Sequence, residues 1–283
     1  MSRPPSFGKP PAGRFFIKMH GLKNHFVITD GRSEDYRPAR EEIIRLCDVQ
    51  TGIGGDQLLI IQPPGDNTKA AAFLRILNVD GREVEACGNA TRCVAWLLME
   101  ETGNTEIVLE TLAGLIECHK RGDHAVSCAM GKPSMEWREV PLSEERDTRH
   151  INLQDGPLTD GVALNIGNPH IVFFVDDQES IDIESLAPAI QEDELFPEEV
   201  NVGVAEVRSA DHMMLKVYER GAGLTTACGS GACAAVYAAQ LRGLTDKNKM
   251  TVTMPAGDME IEIRDDGAAI MTGPVAFCFS GYY

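Results

Sequence analysis

Residues 86–98 read ACGNATRCVAWLL and residues 227–236 read ACGSGACAAV, the same Ala-Cys-Gly step into an apolar run, with Cys87 and Cys228 set 141 positions apart in a chain of 283. That spacing is about half the chain, so each half must build its own copy of one arrangement. The runs CVAWLLM and CAAVYAAQL are apolar on most sides of a helix, and such a helix has to be covered on most sides. In the first half, short apolar or alternating runs at 14–19, 25–30, 56–62, 73–79, 106–111, 114–120 and 125–130 predict strands between Gly, Pro and Asn turns. Helices are predicted at 39–49 and 88–101, the second stopped by Gly103. The second half repeats the layout, with strands at 161–167, 170–176, 200–207 and 213–220, a helix at 229–242 stopped by Gly243, and strands at 250–254, 258–264, 268–272 and 275–279. The expected class is α+β with two pseudo-symmetric halves, each an antiparallel sheet wrapped round one buried helix. The acidic run QEDELFPEE, residues 191–199, reads as a solvated loop or helix end.

Composition removes several function classes. The chain has 26 basic and 43 acidic residues, a net charge of -17, which repels nucleic acid and anionic membranes. No stretch approaches the roughly 20 apolar residues of a membrane helix. The opening MSRPPSFGKPPAGR lacks the apolar core of a signal peptide and reads as a flexible leader over 1–13. The eight cysteines lack both a secretion signal and the C-x2-C spacing of a zinc site, so reduced cytoplasmic thiols and no metal are expected.

A cysteine at a helix start lies beside orphan N–H groups and the positive end of the helix dipole, which lower a thiol from about 8.5 toward neutrality. Gly88, Asn89, Gly229 and Ser230, next in the chain, allow close approach and offer N–H groups to a carboxylate. One Cys-Gly pair would usually be a small buried apolar side chain, as expected for Cys93, Cys118, Cys128 and Cys278; the duplication argues otherwise. A pseudo-twofold relation would make the two helix starts face each other across a cleft. One thiolate and one thiol on opposite faces of a stereocentre can remove and return an α-proton in either direction. The adjacent N–H groups would stabilise the enolate-like carboxylate. No Schiff-base lysine motif or dinucleotide loop is present, so no cofactor is expected.

The motifs MHGLKNHFV (19–27), GIGGDQLL (52–59), NVDGREVEACGNATRC (78–93), GNPH (167–170), VN (200–201) and YERGAGLTTACGSGACA (218–234) together make the sequence similar to the diaminopimelate epimerase family from about residue 14 to the C-terminus. The resemblance implies a cofactor-independent two-base epimerase that interconverts L,L- and meso-diaminopimelate in lysine and cell-wall precursor biosynthesis. It implies Cys87 and Cys228 as acid and base, with Gly88, Asn89, Gly229 and Ser230 holding the reacting carboxylate. His170 and Glu219 would each sit near one cysteine and tune it. Asn24, Gln57, Asn78, Asn168, Asn201, Glu219 and Arg220 would hold the rest of the substrate, and a guanidinium fork suits a carboxylate on physical grounds too. Read without the resemblance, His170 fits a core histidine as well as a catalytic one, and each Asn in a Gly-rich turn fits a structural role. The implied fold is two strand-rich barrels, each around a central helix: residues 1–131 joined by a returning strand at 274–283, and residues 132–273. Two departures stand out: Lys23 and His25 flank Asn24 where the family reads Gly-Asn-Asp, and CGNG is here CGNA, with Ala90 suited to a first helical turn. The leader has no family counterpart.

Three alternatives stay open from sequence. A related two-cysteine racemase of proline, hydroxyproline or histidine would leave Asn78, Asn201, Glu219 and Arg220 unpaired. A redox dithiol would usually share one C-x-x-C turn, which is missing. A binding module has no use for two activated thiols. The expected partner is a small molecule, with no nucleic acid and no membrane; a homodimer is the assembly left open.

Overall fold

The computed structural model describes residues 13–66, 69–153 and 156–283. Apart from Gly13, the predicted leader lies outside them. The chain forms two compact units, one ending at Lys120 and rejoined by Val275–Tyr283, the other spanning Arg121–Pro274.

The first unit contains β1 (Phe15–Gly21), β2 (Asn24–Asp30), α1 (Arg40–Cys47), β3 (Gln57–Gln62), β4 (Ala72–Asn78), β5 (Glu83–Val84), α2 (Gly88–Thr102), β6 (Glu106–Thr111) and β7 (Gly114–Lys120). The second contains β8 (Ala125–Gly131), β9 (Val162–Asn165), β10 (Pro169–Phe174), α3 (Ile183–Gln191), β11 (Asn201–Ser209), β12 (His212–Glu219), β13 (Gly223–Thr225), α4 (Gly229–Leu241), β14 (Lys249–Met254), β15 (Gly257–Ile263) and β16 (Ala269–Pro274). The last strand, β17 (Ala276–Tyr282), returns to the first unit and pairs with β1.

The repeat is visible in the pairing. In the first unit β1 joins β2, β2 joins β3, β3 joins β4, β4 joins β6 and β6 joins β7, with β5 added on β4. In the second, β9 joins β10, then β11, β12, β14, β15 and β16 follow, with β13 on β12. The antiparallel expectation holds for most pairs and needs one correction. β2–β3 and β4–β6, and equally β10–β11 and β12–β14, are parallel. Each follows a long crossover that carries a helix, and parallel neighbours require such a connection.

The two repeated helices explain why each sheet curls. α2 packs on β1, β2, β4, β6 and β7, and α4 on β9, β10, β11, β12, β15 and β16, so strands from both ends of each order meet one helix. Val94, Leu98 and Met99 in α2 and Ala232, Ala235 and Val236 in α4 are buried. Gly103, at φ 74°, caps α2 with its N–H on the Met99 carbonyl. An L-side chain rarely adopts that φ, which is why the stop was legible.

Two further elements differ from expectation. The division falls after Lys120 and not at 131, because β8 pairs with β16 and so belongs to the second unit. α3 was not predicted: Pro188 lies inside it, while Asp182 caps its start by accepting from the Ser185 N–H. Proline inside a helix costs about 3 kcal/mol, and tertiary burial of Ile183 and Ala187 outweighs it here. Among the described residues, no helix is long and apolar enough to cross a membrane.

Candidate active site

In the first unit the chain turns from β1 to β2 through Leu22 and Lys23, both at positive φ (51° and 62°), the left-handed pair that a two-residue hairpin needs. Lys23 therefore occupies a conformation suited to the family's glycine, at a cost of about 1–2 kcal/mol. The turn delivers Asn24 to the start of β2, facing the start of α2. There the half-buried Cys87 is the N-cap residue, extended at φ -147° and ψ 111°, and its thiol donates to Asn24 Oδ1 at 3.7 Å. Asn89 Nδ2 donates to the same oxygen at 3.3 Å. Asn24 Nδ2 donates to Asp56 Oδ2 at 2.9 Å, and the buried guanidinium of Arg92 donates to Asn89 Oδ1 at 2.8 Å. Gln57 and Asn78, opposite each other on β3 and β4, form their own bond, Nε2 to Oδ1 at 2.9 Å.

In the second unit Cys228 is the N-cap of α4, extended at φ -125° and ψ 109°, and 5% exposed. Its sulfur accepts from the Gly231 N–H at 3.4 Å and lies 3.5 Å from Ser230 Oγ, while its own N–H donates to Met254 Sδ at 3.4 Å. Here the expectation of a lowered thiol is corrected. Burial and the nearby Glu219 carboxylate push the Cys228 thiol up, outweighing the Ser230 and Gly231 donors. Burial also raises Glu219, opposed by bonds from Thr225 and Cys228. The resting group at this helix start is a protonated thiol.

His170, 1% exposed on β10, places Nε2 3.0 Å from Ser230 Oγ and 3.1 Å from Asn168 Oδ1. Within this unit both tuning groups expected from sequence lie at Cys228: Glu219 against the thiol, His170 one hydroxyl away. Burial, and then the Arg220 charge, lower His170 to about 3, so the ring is neutral. Asn201, 3% exposed, spends Nδ2 on the Pro169 carbonyl at 2.9 Å and Oδ1 on the Arg220 N–H at 2.9 Å. It ties the turn before His170 to the end of β12. The exposed Arg220 sends Nη1 to the Glu198 carbonyl at 2.7 Å.

His170 carries a stability prediction. Its folded value of about 3 lies below the unfolded 6.5, so below that pH the unfolded chain binds a proton that the folded one refuses. Stability is complete above pH 6.5 and falls as pH drops, by roughly 2 kcal/mol at pH 5. Urea midpoints at pH 7 and pH 5 should show this slope, reduced in His170→Gln; equal slopes would refute the assignment. A second prediction concerns Gly231, where an added Cβ would stand 2.9 Å from Val217 Cγ2 and 3.2 Å from the Cys228 sulfur. Its counterpart in α2 is Ala90, already buried there. Gly231→Ala should therefore displace the thiol and lower kcat on the order of a hundredfold, the scale for an ångström of misplacement. Unchanged steady-state kinetics would show that the sulfur has room.

Sequence reasoning passed over Asp56, Arg92 and Thr225. Asp56 stands inside the GIGGDQLL motif, 32 residues from Asn24 with nothing in the spacing to join them, whereas Arg92 follows Asn89 by three on the predicted helix, a spacing that puts both side chains on one face. Thr225 donates to Glu219 Oε1 at 2.5 Å across the short β12–β13 pairing. Among the described residues no group of three or more His, Cys, Asp or Glu is placed to hold a metal.

Solved structures share this fold at low identity. A Bacillus anthracis phenazine biosynthesis protein of the PhzF family matches with a TM-score of 0.68, 13% identity, and 96% of this chain and 99% of that one covered. A probable proline racemase from Agrobacterium radiobacter K84 matches with a TM-score of 0.67, 15% identity, and 95% and 92% covered. Strands curled round a buried helix, formed twice, are the racemase- and PhzF-type fold that these structures share. Within it the sequence matches the family described as Diaminopimelate epimerase over residues 16–136 and 162–278. The diaminopimelate epimerase of Rhodospirillum centenum is 44% identical over 95% of this chain and 91% of its own length. The chain belongs to the diaminopimelate epimerase family, and it is an isomerase of the amino-acid epimerase kind.

Proposed function

We propose that the protein interconverts L,L- and meso-diaminopimelate by passing the α-proton between the substrate carbon and the thiols of Cys87 and Cys228. The observation that carries this reading is the cysteine at the start of each of two buried helices, followed each time by residues whose N–H groups have no carbonyl partner inside the helix. The N–H groups at Gly88, Asn89, Gly229 and Ser230 would receive the α-carboxylate, whose charge grows as the proton leaves. A thiolate takes the proton on one face and a thiol supplies one on the other; reversing the direction exchanges the roles. The reading requires both sulfurs to reach one carbon. Glu219, beside Cys228, and His170, behind Ser230, serve as the groups that adjust protonation. Arg220, Asn78, Asn168, Asn201 and Gln57 would meet the distal amino-acid head.

We place the protein in a reducing cytoplasm, where its eight cysteines, none of them joined in a disulfide, stay as thiols. For assembly we favour a homodimer over a monomer, because strand β17, paired with β1, carries the exposed aromatic side chains Phe277, Phe279 and Tyr282. Sedimentation should give twice the chain mass, and Phe277→Ser with Phe279→Ser should halve it; a monomeric wild type would refute this. The activity itself is tested by incubating L,L-diaminopimelate with the protein in deuterated water. Deuterium at the α-carbon together with meso product is expected. Neither appearing would reject the reading.

A further inference from the structure

Asn24 and Asn89 each present an amide whose oxygen and NH2 ends have nearly the same shape, so a neighbour must decide which end points where. An ionised carboxylate only accepts hydrogen bonds and a guanidinium only donates them. Asp56 Oδ2 is 2.9 Å from Asn24 Nδ2, and it also accepts the His25 N–H at 2.7 Å, which fixes the carboxylate itself. The NH2 of Asn24 must therefore face Asp56. At the other end Arg92, 0% exposed, lies 2.8 Å from Asn89 Oδ1, so the oxygen of Asn89 must face Arg92 and its NH2 must face Asn24. Gly21 leaves room for this: a Cβ there would stand 3.2 Å from Arg92 Nη2 and 3.4 Å from Asn89 Cβ. Of the amide pair, the end turned to the Cys87 thiol is then the oxygen of Asn24.

We propose that Asp56 and Arg92 are positioning residues that clamp the Asn24–Asn89 amide pair from opposite ends, so that the Cys87 sulfur always faces a hydrogen-bond acceptor. This role rests on Cys87 being one of the two reacting thiols. The second helix start is built differently. There the position of Asn89 is taken by Ser230, whose hydroxyl can turn to donate or accept, and that of Arg92 by the buried Cys233. An acceptor facing the sulfur stabilises S–H at Cys87 relative to an arrangement in which the Asn24 NH2 faced it.

Asp56 is exposed, so Asp56→Asn should fold, and its own amide no longer dictates the direction of Asn24. The probe is iodoacetamide alkylation of Cys87 as a function of pH, followed by peptide mass mapping, which needs no substrate. With Asn24 free to turn its NH2 toward the sulfur, the thiolate is better stabilised, and the half-point of alkylation should move to lower pH in Asp56→Asn and in Arg92→Gln. In the Asn24→Ala background Asp56→Asn should add no shift. Activity on diaminopimelate should fall on the order of a hundredfold in kcat/KM, the scale for misplacing groups that hold the substrate. An unchanged alkylation profile in Asp56→Asn, or a shift that persists undiminished without the Asn24 amide, would overturn the proposal. An unmoved profile in Arg92→Gln alone would remove Arg92 from it. Because alkylation is independent of turnover, absence of epimerase activity would reject the proposed reaction and leave this result standing.

Discussion

Replacing Cys87 or Cys228 by alanine should each stop the interconversion of L,L- and meso-diaminopimelate, with kcat reduced about 10²–10⁴-fold, the range for losing one general acid or base. Both directions need a base on one face of the α-carbon and an acid on the other, so neither single variant keeps a complete route. The substitutions remove one sulfur at a helix cap and leave the buried helical surfaces of α2 and α4 intact, so circular dichroism and thermal unfolding should stay close to wild type. Cys93→Ala and Cys233→Ala make the control. Both side chains are fully buried inside the helices, and both variants should keep most of the activity. Normal epimerisation by either cap variant would end the two-base account, whatever the family membership.

The second large effect falls on substrate choice. Diaminopimelate carries a second amino-acid head, so a selective site needs a fixed cation for its carboxylate and a fixed anion for its ammonium. On the proposed reading Arg220 and Glu219, adjacent at the end of β12, would supply one of each, and the Asn201 side chain holds the Arg220 backbone in place. A substrate without the distal carboxylate leaves the guanidinium desolvated and unpaired, and losing one partner of such a pair costs about 2–5 kcal/mol. That corresponds to roughly 30- to several thousandfold in kcat/KM. Lysine, proline and histidine should be poor substrates, and Arg220→Met should depress diaminopimelate turnover far more than lysine turnover. Comparable α-proton exchange on lysine, proline or histidine and on diaminopimelate by the wild type would overturn the substrate and leave the thiol chemistry in place.

What could be read from the chain without its structure was what short-range chemistry dictates. The twofold Ala-Cys-Gly step marks two helix starts because a helix beginning exposes N–H groups to whatever precedes it, and the structure has α2 and α4 beginning at Gly88 and Gly229. Gly103 and Gly243 marked their ends through positive φ, and alternation of apolar residues located the longer strands to within a few residues but not the short β5 and β13. α3 escaped because Pro188 argues locally against a helix that burial enforces. The sites divide in the same way. Cys87, Cys228, Asn24 and Ser230 stand in motifs that mark them, whereas the bond from Asn24 to Asp56 joins residues 32 apart and could not be read; the Asn89–Arg92 bond spans one helical turn, so its spacing was legible and its partner choice was not. The protonation of the second thiol was also a tertiary outcome. A helix start alone lowers a cysteine, but Cys228 is raised because folding buries it and places Glu219, nine residues earlier, against it. Periodicity, caps and turn residues act over a few residues and can be read in order along a chain. Desolvation and the direction of a hydrogen bond depend on which distant segments arrive together, and only the packed sheet decides that.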